Sequence, residues 1–208
     1  MFGGNFQTWK LHSAQDYFMF FAYILAGVLV FWLIAKHMNK QRNHEKAVEK
    51  VSGRLKKICG KPGEVLKNAT LNLPEGKRTF DVVLMDKRGV YLVRTYGWGI
   101  KIYGTPDGAM WRREDAKRKE EFENPLLELK KGAAEITKVM EENGVQSLKV
   151  MPMVVFADNF QTPELYLGYG SFSTTYQELK SWYKKQSGVK EVQYDYDKVS
   201  SIIKELAK

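Results

Sequence analysis

The sequence has very few residues that bind metals through nitrogen or sulfur. Cys59 is the only cysteine, so no disulfide links two parts of this chain, which fits a reducing compartment. The histidines, His12, His37 and His44, flank a long apolar run and have no cysteine or carboxylate at ligand spacing. We therefore expect surface histidines and predict no histidine-based metal site.

Several catalytic motifs are also missing. Ser171 follows Gly168-Tyr-Gly, which is not the Gly-x-Ser-x-Gly turn that presents a nucleophilic serine. No glycine-rich loop is followed by Lys-Ser or Lys-Thr, which excludes the common phosphate-binding loop. The composition, 44% hydrophobic and 13% aromatic, is that of a chain with a folded core.

One long apolar run stands near the N-terminus. Residues Tyr17 to Ala35 carry no charge, and as a helix they would reach about 28 Å, close to the roughly 30 Å hydrocarbon thickness of a bilayer. Basic residues follow the run, whereas only Lys10 precedes it. The sequence predicts a transmembrane helix with the N-terminus outside and the following domain in the cytoplasm. A buried core helix is the alternative.

The excess of basic over acidic residues suggests anionic partners. The formal net charge is +9, which favours phosphate backbones or lipid headgroups over acidic ligands. The basic residues after the apolar run either stop its transfer across the membrane or hold the next helix against anionic headgroups. They are Lys36, Lys40, Arg42, Lys46, Lys50, Arg54, Lys56 and Lys57.

A hairpin is predicted around Asp86-Lys-Arg-Gly89, because runs rich in Val, Leu, Tyr and Phe flank this turn sequence. If Asp86 faces Gly89, then Asp81 faces Arg94, and the two charges share one face of the sheet. A bulge at Gly89 would shift the register and separate them.

Helices and strands alternate along the rest of the chain, with a polar loop rich in charge predicted from Thr105 to Glu123. Asn124-Pro125 is a strong helix start. The other predicted elements are a helix from Glu45 to Ile58, strands at Val65 to Leu73, Ile100 to Gly104, Leu148 to Ala157 and near Leu165, and helices from about Thr175 and after Asp195.

Seven short motifs follow one another along the chain in an order that is typical of one protein family. They are Glu45-Lys-Ala-Val48, Asp81, Gly89-Val90, Arg94-Thr-Tyr96, Trp98-Gly99, Trp111 and Asn124-Pro-Leu-Leu-Glu128. In this order they resemble the nuclease-related domain (NERD) family, which has the restriction-endonuclease-like PD-(D/E)xK fold. The resemblance covers about Glu45 to Asp158. It implies an α/β domain with a mixed sheet flanked by helices.

The resemblance also implies a metal-dependent nuclease, in which strand carboxylates hold Mg²⁺ and a lysine assists the attacking water. Here the family's Glu-x-Lys is replaced by Arg94-Thr95-Tyr96. An arginine cannot ligate a cation, and a tyrosine, with an ordinary pKa of about 10, is neutral at pH 7. We therefore interpret Asp81 and Glu45 as vestigial catalytic residues, and we expect no cofactor.

Two other hypotheses stay open at this stage. An active nuclease would use Mg²⁺ with a relocated acid, Glu64, Glu114 or Glu128. A weak candidate for nucleic-acid binding is the basic cluster beside Trp111, although acidic residues alternate with it and favour a solvated loop. The cluster consists of Arg112, Arg113, Lys117, Arg118 and Lys119.

These observations predict four segments and one role. The segments are an extracytoplasmic N-terminus with a transmembrane helix (1–35), a basic linker (36–44), a NERD-like domain (45–158) and a C-terminal strand and helices (159–208). We predict a membrane-anchored domain, inactive as a nuclease, that binds nucleic acid or a protein partner.

Overall fold

The computed structural model describes residues 13–40, 43–158, 161–186 and 194–208. The chain forms two compact units, Met1–Lys40 and Gln41–Lys208. In the first unit, helix α1 (Ala14–Lys40) extends beyond the predicted run at both ends. Its part Ala14–His37 is long and apolar enough to cross a membrane, and none of it is buried as a core helix would be. Exposure of such an apolar helix to water is costly, which favours a lipid environment.

The second unit is a mixed α/β domain. In chain order its strands are β1 (Gly63–Leu73), β2 (Gly76–Asp86), β3 (Gly89–Tyr96), β4 (Lys101–Gly104), β5 (Met110–Glu114), β6 (Lys119–Glu123), β7 (Val150–Phe156), β8 (Glu164–Leu167) and β9 (Ser173–Thr175). Its helices are α2 (His44–Ile58), α3 (Pro125–Glu142), α4 (Leu179–Gln186) and α5 (Tyr196–Leu206).

The main sheet has the strand order β1-β2-β3-β7-β9. The first three strands are antiparallel, and β7 runs parallel to both β3 and β9. The β2–β3 hairpin has the unshifted register, since Asp86 pairs with Gly89 and Val83 with Leu92. Gly89 has φ +140, and a side chain there would also meet the Lys149 carbonyl, so the turn requires glycine.

Side chains of the main sheet alternate between two hydrophobic cores. Val83, Leu92 and Val154 point to the core shared with α3 and α5, whereas Val82 and Val93 point to the core shared with α2 and α4. Strand β7 is thus covered on both faces, as its near-continuous apolar sequence predicts.

A second, smaller sheet corrects the predicted loop. The segment from Thr105 to Glu123 contains β5 and β6, which form a hairpin in a sheet of order β6-β5-β4-β8. Opposite charges face each other across this hairpin, with Arg113 opposite Glu120 and Glu114 opposite Lys119. These cross-strand pairs allow a charged sequence to form strands, which hydrophobic alternation alone could not predict.

Helices α3 and α5 begin where their capping residues predict. Asn124 accepts a hydrogen bond from the Leu126 N–H, and Asp195 accepts one from Lys198. The helix predicted from about Thr175 starts later, at Leu179, because Thr175 ends strand β9. The Thr175 hydroxyl still accepts a hydrogen bond from the Glu178 N–H, so it stabilises the turn before α4.

Candidate functional site

Asp81 and Arg94 form the centre of the predicted site. Asp81 lies in the middle of β2 and Arg94 near the end of β3, and the Arg94 Nη1 is 3.2 Å from the Asp81 Oδ1. Asp81 is almost fully buried, at 2% exposure. A carboxylate removed from water in this way needs a partner, and the guanidinium supplies it.

Both oxygens of Asp81 already accept hydrogen bonds. Oδ2 accepts from the Thr95 N–H at 2.6 Å and from the Thr95 hydroxyl at 3.1 Å. Oδ1 accepts from Arg94 and lies 3.3 Å from Nε2 of His44. The carboxylate is therefore held rigidly, and its acceptor positions are used by the protein itself.

Arg94 also reaches across to helix α3. Its Nη2 donates to Oε2 of Glu128 at 2.9 Å and to the Thr79 carbonyl at 3.3 Å. Burial lowers the pKa of Arg94, but the charges of Asp81 and Glu128 more than offset this and leave it raised. The guanidinium thus bridges two carboxylates, one from a strand and one from a helix.

Helix α2 contributes a residue other than the one predicted. Glu45 lies exposed in the first turn of α2, while its neighbour His44 contacts Asp81. His44 is exposed, with 57% of its side chain accessible, as expected of a surface histidine, and it contacts Asp81 in addition.

Tyr96 is enclosed by aromatic rings. It stacks on Phe156 with centroids 5.4 Å apart and contacts Phe122 at 4.9 Å. The Arg113 guanidinium lies 5.1 Å from its ring centroid. Burial raises the pKa of Tyr96 to about 12, although the charges of Arg94 and Arg113 lower it. Tyr96 is therefore a neutral packing residue at pH 7.

The raised pKa of Tyr96 predicts that this residue lowers the free energy of unfolding at alkaline pH. Between pH 10 and 12 the unfolded chain loses the tyrosine proton while the folded protein keeps it, so the free energy of unfolding falls as pH rises. A pKa raised by about two units corresponds to a full loss of about 3 kcal/mol, at about 1.4 kcal/mol per unit, of which about 2 kcal/mol should be lost between pH 10 and pH 12. In urea titrations, Tyr96→Phe should gain stability relative to the wild type from pH 9 to pH 12. A constant difference across this range would contradict the prediction.

A comparison with known protein families identifies the domain. The family model for the nuclease-related domain matches residues 40–157, more than half of the chain. The chain belongs to the NERD family. No curated protein matches it.

The NERD fold implies a Mg²⁺ site, but the residues at this position do not fit the ion. Mg²⁺ requires oxygen ligands at about 2.0–2.1 Å, whereas both oxygens of Asp81 are bonded to protein donors. Arg94 brings a positive charge within 3.2 Å of the same carboxylate. At 4 Å and an effective dielectric near 20, its repulsion of a divalent ion is on the order of 8 kcal/mol. Among the described residues, no group of three or more His, Cys, Asp or Glu side chains is arranged for a metal.

The relocated acids of the alternative hypothesis lie in different places. Glu64 bonds to Lys204 at 2.8 Å and pairs with Met85, four residues along β2 from Asp81. Glu114 accepts from the Tyr103 hydroxyl in the second sheet. Only Glu128 reaches the Asp81 cluster, and Arg94 bonds to both carboxylates.

The basic cluster proposed for nucleic-acid binding lies on the NERD domain's β5–β6 hairpin, where carboxylates neutralise most of it. Arg113, treated as an exposed loop residue from the sequence, is 13% exposed and pairs with both oxygens of Glu120. Arg118 pairs with Asp115 at 3.3 Å, and Arg112 and Lys119 each lie within 4.0 Å of Glu114. Lys117 donates its backbone N–H to Asp115.

Two other NERD motif residues hold the domain together. The Trp111 indole donates to the Thr105 carbonyl at 2.8 Å and is 1% exposed. The Asn124 amide donates to the carbonyls of Pro106 and Gly108, at 3.1 and 2.7 Å. Asn124 thus fastens the start of α3 to the loop before β5, which explains why the motif needs this residue.

Proposed function

We propose that this NERD protein is anchored in the cell membrane by α1, carries its NERD domain in the cytoplasm and binds a partner without cutting nucleic acid. The Arg94 bridge between Asp81 and Glu128 carries the proposal. The family resemblance implies a metal beside Asp81, and the fixed cation of Arg94 beside that carboxylate supports an inactive site. Tyr96 supports the same conclusion, because a neutral tyrosine among aromatic rings supplies no cationic helper.

A cleavage assay tests the first half of the proposal. The full chain, purified in a neutral detergent, should leave supercoiled DNA, single-stranded DNA and RNA intact with Mg²⁺ or Mn²⁺. Cleavage that requires metal and disappears in Asp81→Ala would overturn the proposal and favour an active site that uses Glu128.

The partner is either nucleic acid or a protein, and salt distinguishes them. Binding to phosphates releases counterions, so its affinity falls steeply as salt rises. A gel shift with duplex and single-stranded DNA at two salt concentrations provides the measurement. Since the β5–β6 cations are paired with carboxylates, replacing Arg112 and Lys119 with alanine should change any such binding by less than about threefold.

Membrane anchoring is tested separately. The basic residues follow the apolar helix, which favours a cytoplasmic domain. The protein should appear in the membrane fraction, and protease added to intact cells should spare the domain. Release by salt alone, or digestion from outside, would reject this topology.

A further inference from the structure

A groove of about 870 Å³ lies between α2 and α4, and its lining is strongly basic. Helix α2 contributes Lys46, Lys50, Arg54 and Lys57, at spacings of four, four and three residues. Residues at these spacings share one helix face, and like charges there repel one another. The opposite face of α2 is buried in the core.

Distant parts of the chain add further cations to the same groove. The hairpin turn between β2 and β3 contributes Arg88, and α4 contributes Lys180 and Lys184. Glu49 is the one acidic residue in the lining, and it is paired with Lys46 at 2.8 Å. Cations therefore converge on the groove from three elements, an arrangement that can attract an anion.

Two guanidinium groups of the groove are each held by an aromatic ring and a backbone carbonyl, and the Arg88 backbone N–H also donates to Asp86 Oδ1 at 2.8 Å. The Arg54 guanidinium lies 4.6 Å from the Tyr176 ring centroid and donates to the Gln177 carbonyl. Arg88 lies 4.2 Å from the centroid of Tyr183 and donates to that residue's carbonyl. Each keeps other N–H donors for a ligand while its orientation is fixed.

The other arginines in the described part of the chain differ in their charged partners. The guanidinium of each lies within 4.0 Å of a carboxylate, whereas the guanidinium groups of Arg54 and Arg88 form no ion pair with a described carboxylate. They are Arg78, Arg94, Arg112, Arg113 and Arg118. The described arginines whose guanidinium groups form no such ion pair thus coincide with the groove.

We propose that this groove binds the phosphate headgroup of an anionic membrane lipid, with a phosphomonoester favoured. A planar guanidinium matches a phosphate with two parallel hydrogen bonds. A nucleic acid needs cations along several phosphates, but the described arginines outside the groove are neutralised by carboxylates. One compact cluster suits one headgroup.

The lipid source rests on the proposed membrane anchoring. In sequence, only Gln41 to Asn43 separate the ends of α1 and α2. A membrane tether this close in sequence gives the domain a high effective concentration of headgroups, which makes even a weak site occupied.

The test is a calorimetric titration, in which dioctanoyl phosphatidic acid is added to the full chain in neutral detergent. Dioctanoyl phosphatidylcholine should bind at least about tenfold more weakly, because it lacks net charge. Arg54→Gln combined with Arg88→Gln should weaken phosphatidic acid binding at least about tenfold. The matched control, Arg112→Gln with Arg118→Gln, removes the same charge and should stay within about twofold of the wild type.

Three different results would each contradict the proposal. Equal losses in both double variants would indicate diffuse attraction and no site. Inorganic phosphate that binds as tightly as phosphatidic acid would assign the groove to a soluble anion. A short DNA duplex that binds more tightly, and loses affinity only in the groove variant, would assign it to nucleic acid.

A second variant covers the case in which the arginine variant does not fold. Lys57→Gln with Lys180→Gln changes two exposed groove residues, and it should weaken binding several-fold. An unchanged affinity would overturn the proposal. Because the titration takes place in detergent, its failure leaves the membrane-fraction and cleavage results standing, so the two proposals fail separately.

Discussion

Replacing Arg94 with alanine should lower the free energy of unfolding of the NERD domain by about 2–4 kcal/mol. The change leaves Asp81, a carboxylate with 2% exposure, without its charged partner. The two hydrogen bonds from Thr95 and the contact with His44 remain. They keep the loss near the lower part of the range for a broken buried ion pair.

Urea unfolding of Arg94→Ala and a matched surface variant provides the measurement. Arg112→Ala is the control, because its side chain is 46% exposed and lies 3.9 Å from Glu114. An exposed pair of this kind contributes less than about 1 kcal/mol. Similar losses in the two variants would show that the Arg94 bridge does not stabilise the fold.

A double-mutant cycle separates the two halves of the bridge. The coupling of Arg94 to Asp81 should exceed its coupling to Glu128, because the Glu128 side chain is 46% exposed and Asp81 is buried. Arg94→Lys should recover only part of the loss, since a lysine presents a single charged nitrogen to two carboxylates.

Replacing Arg94 with glutamate should create a divalent metal site beside Asp81. The variant removes a cation and adds a third carboxylate beside Asp81 and Glu128. By the Coulomb estimate of several kcal/mol per charge at 4 Å, Mn²⁺ affinity should rise at least about 100-fold. Three carboxylates also repel one another without metal, so the melting temperature should now rise when Mg²⁺ or Mn²⁺ is added.

The control for this prediction is Arg94→Gln, which removes the cation without adding a carboxylate and should gain less affinity. Asp81→Asn in the Arg94→Glu background should abolish most of the gain. If Arg94→Glu is folded but its melting temperature does not change when metal is added, then the Arg94 charge is not the reason that the ion is excluded.

Placing the lysine of the Glu-x-Lys motif at position 96 should destabilise the fold. A lysine at position 96 would be buried between Phe122 and Phe156 and close to the Arg113 charge. Both desolvation and like-charge repulsion disfavour it. Arg94→Glu with Tyr96→Lys should therefore melt below Arg94→Glu alone.

Features that depend on neighbouring residues were predictable. The turn at Asp86 to Gly89 fixed the register of the hairpin, and the register placed Arg94 opposite Asp81. The Asn124-Pro125 pair located the start of α3, and an uncharged apolar run located α1. Each of these signals lies within a few residues, because turns, caps and helix periodicity are local properties of the chain.

Weak local patterns were missed. The segment of β5 and β6 has one fully buried residue, Trp111, so it lacks the alternation that identifies a strand. Strand β9 is three residues long and depends on its pairing with β7. Such strands form because a neighbouring strand supplies hydrogen bonds and charge pairs, and a sequence pattern does not contain the neighbour.

Only the tertiary structure decided which residues surround Arg94 and which cations form the groove. Glu128 reaches Arg94 across 34 positions, and Arg54 bonds to Gln177 across 123. The sequence determined the composition of each helix face, including the lysines of α2. Packing of α2, α3 and α4 on the two faces of one sheet then chose the partners, because burial of apolar faces, and not the charges themselves, sets where these helices lie.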